Sequence, residues 1–85
     1  MEVIHTPDFE KGLKILPKRT KGFFMTQESR FRENFRDSRL YVKKLQGLDS
    51  VFSFRINREY RTLFYFTVEN VAVFFAIGHR KDIYR

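Results

Sequence analysis

The sequence contains no cysteine, no tryptophan, and only four glycines and two prolines. The absence of cysteine excludes disulfide bonds, thiol nucleophiles and cysteine-ligated zinc, and it is typical of a reducing compartment. No apolar stretch approaches the roughly 20 residues that a membrane span requires, and the opening residues MEVIHTPDFEKG lack the apolar core of a secretory signal. We therefore expect a cytoplasmic protein that does not bind membranes.

Residue patterns typical of metal and cofactor sites are also missing. The two histidines lie far apart and the acidic residues are scattered, so no ligand set has the spacing of a zinc site. No glycine-rich phosphate-binding loop occurs either. We therefore expect the protein to need no metal and no cofactor.

The sequence is instead rich in phenylalanine and in positive charge. Its 85 residues fit one small domain, and eleven phenylalanines with four tyrosines supply material for the core. Lysine and arginine number 17 against 10 acidic residues, which gives a formal net charge of +7. A chain this basic favours a polyanionic partner, which is RNA, DNA or an acidic protein.

The spacing of apolar residues changes from helical to alternating along the chain. A short apolar run, EVIH, precedes a helix that Thr6 caps and Pro7 starts, and Pro17 separates it from a second helix over residues 18–37. After Gly47 the apolar residues alternate through three segments joined by short turns, which indicates an antiparallel meander. We predict an α+β fold in which a small antiparallel sheet, the N-terminal strand plus the three-strand meander, packs on the two N-terminal helices.

The alternation in the meander predicts which side chains share a face. A three-residue loop, 57–59, keeps the apolar side chains of both flanking strands against the helices and places Arg55 directly opposite Arg61. Ser53 joins them on the other face, which we expect to be open. Because like charges opposed on a sheet are destabilising, two interpretations remain. Either an anion binds between the arginines, or they turn into solvent or pair with nearby acidic side chains.

The closing residues IGHRKDIYR add further polar groups to this surface. Gly78 permits close approach of the backbone, and Arg80 and Lys81 add positive charge. His79 and Tyr84 are able to exchange protons, although a histidine at a turn and a tyrosine at a sheet edge also have structural interpretations. We expect this segment to form one wall of an anion-binding site.

The ordered set KKLQGL, VFSFRINREYRTLFYF and VAVFFAIGHRKDIYR resembles the RelE/ParE superfamily of toxins from bacterial and archaeal toxin–antitoxin systems. The shared pattern begins with a leucine and a glycine before the hairpin, a basic residue on its first strand and a Tyr-Arg step opening its second. A glycine–basic–arginine segment followed by tyrosine completes the pattern. The likeness covers nearly all of the chain, is strongest over residues 43–85, and implies that residues 1–85 form a single RelE-like toxin domain.

Similarity to the RelE branch implies a metal-independent endoribonuclease that cuts mRNA in the ribosomal A site. The partners would then be the ribosome, mRNA and a cognate antitoxin protein. By position, the resemblance assigns catalytic roles to Arg55, Arg61, Arg80 and Tyr84, and His79 joins them as a second group able to exchange protons. We further expect contacts with mRNA or ribosomal RNA from Lys43, Lys44, Ser53, Arg58, Lys81 and Arg85.

Two positions depart from some members of that branch. Ser53 and His79 each stand where some RelE toxins carry a lysine, so the general base remains either Tyr84 or His79. Two other functions also remain open. The ParE branch inhibits DNA gyrase and cleaves nothing, and a non-catalytic RNA-binding protein can retain the same fold. The closing segment from Arg80 to Tyr84 favours the endoribonuclease.

Overall fold

Two helices follow the first strand, and both begin where the sequence predicts. The computed structural model describes residues 1–84. Helix α1, Pro7–Lys14, is capped by the Thr6 hydroxyl, which accepts a hydrogen bond from the Phe9 N–H at 3.1 Å. Helix α2, Lys18–Glu33, starts directly after a proline, whose ring ends the preceding helical segment.

Helix α2 buries a stripe of side chains at helical spacing and ends earlier than predicted. It stops at Glu33 rather than at Asp37, because Asn34 takes an extended conformation with φ −161°. Phe35 therefore packs outside the helix, with its ring centroid 5.1 Å from that of Phe66. The buried stripe consists of Thr20, Phe24, Gln27 and Phe31.

Five strands form one sheet, which is mixed rather than wholly antiparallel. The strands are β1 (Val3–His5), β2 (Lys43–Lys44), β3 (Phe52–Arg55), β4 (Tyr60–Phe66) and β5 (Ala72–His79). Their order is β1-β5-β4-β3-β2, with β1 parallel to β5 and the other neighbours antiparallel. The predicted α+β fold and its meander are confirmed. The predicted antiparallel pairing of the first strand is wrong, and the connector adds β2, because local periodicity does not encode which strands become neighbours.

The core lies between the two helices and one face of the sheet. Its rings contact one another closely, as shown by the 4.9 Å separation of the Phe31 and Phe64 centroids. His5 extends this cluster, since its ring stacks on Phe74 while its two nitrogens contact Glu10 and Glu28. The prediction that phenylalanines supply the core is thus confirmed. The fully buried rings are Phe9, Phe24, Phe31, Phe54, Phe64 and Phe74.

The hairpin between β3 and β4 has the predicted register. The Ile56 N–H donates a hydrogen bond to the Tyr60 carbonyl oxygen at 2.9 Å, which closes a three-residue loop. Arg55 consequently lies opposite Arg61. The two arginines share the sheet face that points away from the helices.

A β-bulge changes the register between β4 and β5. Leu63 pairs with Ala76, whereas Phe64 pairs with Phe74, so β5 contains one extra residue between these pairs. The bulge shifts every later residue of β5 by one position relative to β4. As a result Gly78 lies beside the arginine pair and completes a row across three strands.

The sheet face away from the helices is less open than predicted. Ser53, Arg61 and Leu63 are buried there, with exposed fractions of 2%, 8% and 6%. A short helix α3, Arg80–Ile83, contacts β4 and β5 and covers part of this face. The prediction of an open face is therefore wrong around Arg61, because α3 returns over β4 and β5, whereas Arg55 stays exposed.

Candidate functional site

A cleft of about 1050 Å³ lies on the sheet face away from α1 and α2. The segment through β2 forms one wall, β3 and β4 provide the floor, and α3 with the residue after it forms the other wall. The cleft brings together most of the side chains that the sequence analysis singled out. These are Lys43, Lys44, Ser53, Arg55, Arg61, Arg80, Lys81 and Tyr84.

The cleft is strongly cationic. Six lysine and arginine side chains line it, and no carboxylate does so within the part of the chain that the structure describes. Positive charges gathered in a cleft raise the local concentration of anions. Guanidinium groups also match the geometry of phosphate, because they donate two parallel hydrogen bonds to its oxygens. The lining therefore suits a phosphate-containing ligand.

Arg61 is a buried cation fixed to the hairpin loop. Its Nη1 donates hydrogen bonds to the carbonyl oxygens of Asn57, Arg58 and Tyr60, at 2.9, 3.1 and 3.1 Å. Arg61 Nη1 thus ties the hairpin loop together, and the same hydrogen bonds fix the orientation of the guanidinium group. A cation fixed in this way binds a ligand without losing side-chain entropy at that moment.

Burial lowers the pKa of the Arg61 guanidinium from its ordinary value, and the phenol of Tyr84 opposes this effect. The positive charges of Arg55 and Arg80 add to the lowering. An arginine nevertheless keeps its charge at neutral pH. The three arginines therefore repel one another, and a bound anion would relieve this repulsion.

Arg55 contacts an aromatic residue that the sequence analysis missed. The Arg55 guanidinium carbon lies 4.3 Å from the centroid of the Tyr41 ring, within the range of a cation–π interaction. Tyr41 also lines the cleft. The available signal was the string YVKK, in which an aromatic residue stands next to a basic pair, as in many nucleic-acid-binding surfaces.

The wall formed by α3 is attached to the hairpin. The Arg80 N–H donates a hydrogen bond to the Glu59 carbonyl oxygen at 2.7 Å. Tyr84 follows this helix and has 49% of its surface exposed. Its phenol is therefore accessible to a ligand while it interacts electrostatically with Arg61.

His79 lies outside the cleft. It pairs with Tyr60, which packs on the core, and the two rings meet edge to face with centroids 5.4 Å apart. Its Nδ1 accepts a hydrogen bond from the Lys81 N–H at 3.1 Å, and its Nε2 lies 3.5 Å from the Glu59 carboxylate. The structure thus does not bring His79 together with the arginines, and the contacts it shows cap α3.

The other residues predicted to contact RNA divide between the cleft and a second cavity. Lys43 and Ser53 pair across β2 and β3 inside the cleft, and Ser53 is buried there. Arg58 lines a smaller neighbouring cavity of about 340 Å³. Arg85 lies outside the described residues.

Residues 1–84 contain neither a cluster of metal-binding side chains nor a helix suited to cross a membrane. Over this range, no three histidine, cysteine or acidic side chains are grouped so that they could hold a metal ion. No helix in the described part is long and apolar enough to cross a membrane.

The architecture matches solved structures although the sequence is dissimilar. No protein-family model and no curated protein sequence matches the chain. A chain of the RelB–RelE antitoxin–toxin complex from Methanococcus jannaschii matches with a TM-score of 0.79 at 21% identity, covering 95% of this chain and 94% of that one. A chain of the DinJ–YafQ toxin–antitoxin complex from E. coli matches with a TM-score of 0.79 at 13% identity, covering 99% of this chain and 97% of that one.

A third structure, the YoeB/ParE toxin from Agrobacterium tumefaciens, gives a TM-score of 0.78 at 12% identity and covers 94% of this chain and 99% of that one. Each likeness extends over nearly the whole of both chains. The agreement therefore concerns the complete arrangement of helices and sheet. This protein has the fold of the RelE, YafQ and YoeB toxins.

Proposed function

We propose that this protein is the toxin of a type II toxin–antitoxin system and that it cleaves mRNA on the ribosome. The observation that carries the proposal is the cationic cleft, in which Arg55, Arg61 and Arg80 surround a space that Tyr84 also lines. The shared fold supports the toxin role, because the matching structures are toxins and antitoxin–toxin complexes. The resemblance of the sequence to the RelE branch supports mRNA and the ribosome as partners.

The residues of the cleft suit cleavage by the neighbouring 2′-hydroxyl of the RNA. In this reaction the 2′-oxygen forms a bond to phosphorus, the bond from phosphorus to the 5′-oxygen breaks, and a 2′,3′-cyclic phosphate and a 5′-hydroxyl result. The arginines would stabilise the negative charge that develops on the phosphorane. Binding on the ribosome would supply the alignment of the reacting atoms.

Tyr84 is our proposed general base. It lines the cleft, whereas His79 is on the other side of the strand. Its phenol also interacts electrostatically with the Arg61 guanidinium. Tyr84 would accept the proton of the 2′-hydroxyl, and water would supply the proton that the 5′-oxygen takes up.

A cognate antitoxin is the proposed protein partner. Six cationic side chains line the cleft without a carboxylate among the described residues, so an acidic segment of the antitoxin would be attracted to them. Covering the cleft, or displacing α3 from it, would neutralise the toxin.

The test is primer extension on mRNA translated in vitro with purified ribosomes. We expect cuts at A-site codons that disappear when ribosomes are omitted. The double substitution Arg61→Ala, Arg80→Ala should lower the cleavage rate at least ~100-fold, since loss of one such donor costs about that much. A matched control, Arg19→Ala with Arg32→Ala, removes two exposed arginines outside the cleft and should retain cleavage.

Intact mRNA in the presence of wild-type protein would contradict the proposal. Inhibition of gyrase in a supercoiling assay would then support the ParE-like alternative. Equal loss of cleavage in the control pair would instead show that net charge, and not the cleft, determines activity.

A further inference from the structure

Tyr41 lies between two cationic cavities. One is the cleft described above, and the other is the cavity of about 340 Å³ on its far side, which Tyr41 and Arg55 also line. The Tyr41 residue is 60% exposed. An exposed aromatic ring at the boundary of two cationic spaces has the arrangement in which proteins stack the bases of single-stranded nucleic acid.

The backbone of Tyr41 is held in a conformation that few residues adopt. Its φ of 50° and ψ of 49° are left-handed, which costs a non-glycine residue about 1–2 kcal/mol. The neighbouring Leu40 is fully buried, and the Tyr41 N–H donates to the Ser38 carbonyl oxygen at 3.3 Å. The surrounding fold therefore imposes this conformation, and such imposed strain is concentrated at functional sites.

One face of the Tyr41 ring is occupied by a cation. The guanidinium carbon of Arg55 lies 4.3 Å from the ring centroid. This contact restricts the ring, although more than half of the residue remains exposed. A base stacked on the exposed side would complete a layered arrangement of guanidinium, tyrosine and base.

The second cavity offers cations for a further phosphate. Arg30, Arg39 and Arg58 line it together with Arg55, and within residues 1–84 no carboxylate lines it. Arg39 is already paired with Asp37 through two short hydrogen bonds, at 3.0 and 2.7 Å. Arg58 and Arg30 are therefore the cations that would bind the phosphate.

We propose that a single strand of RNA crosses Tyr41, with one phosphate in the cleft, one beside Arg30 and Arg58, and the intervening base stacked on the Tyr41 ring. The inference rests on the proposed function in one respect, since it assumes that the cleft holds RNA. It adds a base-binding residue and a second phosphate site to that function.

The experiment measures binding and does not require cleavage. A fluorescein-labelled, 2′-O-methylated RNA heptamer cannot be cut by its own 2′-hydroxyl, and its Kd is measured by fluorescence anisotropy. Tyr41→Asn removes the ring while asparagine tolerates the left-handed backbone. We expect this variant to bind about 5- to 140-fold more weakly, and Tyr41→Phe to bind within about threefold of wild type.

The matched control is Tyr65→Asn, which changes a partly exposed tyrosine of β4 that lines neither cavity. It should leave the Kd unchanged. For the second phosphate site, Arg58→Gln should reduce the slope of log Kd against log salt concentration by about 0.7, the value for one contact with a single strand.

A series of heptamers, each with one abasic position, identifies the stacked base. At one position, loss of the base should weaken binding to wild type but not to Tyr41→Asn. Absence of this coupling at every position would overturn the inference, even if ribosome-dependent cleavage is observed. Failure of wild type to bind the heptamer would also overturn it. Loss of antitoxin binding without loss of RNA binding in Tyr41→Asn would assign the ring to a protein interface instead.

Discussion

Arg55 and Arg61 face each other across β3 and β4, but they are held by different partners. Arg61 is buried and donates hydrogen bonds from Nη1 to three loop carbonyl oxygens, whereas Arg55 is exposed and stacks on the Tyr41 ring. Both arginines therefore line the cleft, but Arg61 is also fixed to the hairpin loop, whereas Arg55 stays exposed.

Substitution of these two arginines should separate stability from activity. Arg61→Gln should lower the free energy of unfolding by about 1–3 kcal/mol, because it removes charge-assisted hydrogen bonds to the loop. Arg55→Gln should change it by no more than about 0.5 kcal/mol, as expected for an exposed side chain. Both variants should lose cleavage. Urea denaturation followed by circular dichroism measures the first quantity, and equal stability of the two variants would contradict this division.

Gly78 tests whether the space beside Arg61 must stay clear. It pairs with Arg61, and a Cβ atom placed on it would meet no other atom within 4 Å. Gly78→Ala should therefore keep or raise the free energy of unfolding, by up to about 1 kcal/mol. The variant Gly78→Glu should also fold. It should bind RNA poorly, because its carboxylate would occupy the place of the phosphate beside Arg61.

The measurements for Gly78 are thermal unfolding and anisotropy with the RNA heptamer. The alanine variant serves as the control for the added side-chain bulk. If the glutamate variant bound RNA as tightly as the alanine variant, the ligand would not pass Gly78.

His79 and Tyr84 should differ in their effects on cleavage. Tyr84→Phe should lower the single-turnover cleavage rate by about 100-fold or more, which is the usual contribution of a general base. His79→Gln should stay within about threefold of wild type, because the ring faces away from the cleft and caps α3. If His79→Gln lowered the cleavage rate as much as Tyr84→Phe, with an unchanged melting temperature, His79 would be identified as the general base.

Two glycines in the helices form a matched pair for stability. A Cβ atom on Gly12 would lie 2.7 Å from Ile77 Cγ2, whereas one on Gly22 would meet nothing within 4 Å. Gly22→Ala should raise the free energy of unfolding by up to about 1 kcal/mol, from helix propensity. Gly12→Ala should lower the free energy of unfolding by about 1–2 kcal/mol. Overpacking against β5 would cost more than the alanine gains in helix propensity. Denaturant titration of both variants measures whether the free energy of unfolding rises or falls at each position.

The pairing of Arg55 with Arg61 was predictable from sequence because alternation leaves few choices of register. A two-residue loop would have exposed one apolar set, so the loop over residues 57–59 had to be odd in length. The helix starts were predictable for a similar reason, since Thr6 and Pro7 form a local signal that tertiary contacts do not override.

The features of the fold and the cleft that were not predicted depend on contacts between distant segments. The β-bulge opposite Leu63 and Phe64 has no local signature, yet it places Gly78 beside Arg61 and turns His79 to the other side of the strand. The parallel pairing of β1 with β5 likewise joins residues far apart in sequence. Tyr41 was missed because its contact with Arg55 joins the connector to β3, and because its left-handed backbone has no local signature.

The position of β5 in the sheet also bears on how the protein is made. β5 lies between β1 and β4, and its pairing of Ala72 with Val3 joins opposite ends of the described chain. During synthesis the helices can form early, but the sheet stays incomplete until residues 72–79 have emerged. The wall of the cleft that carries Arg80 and Tyr84 follows later still. An unfinished chain therefore lacks both the completed sheet and the wall of the cleft on which the proposed cleavage of mRNA depends.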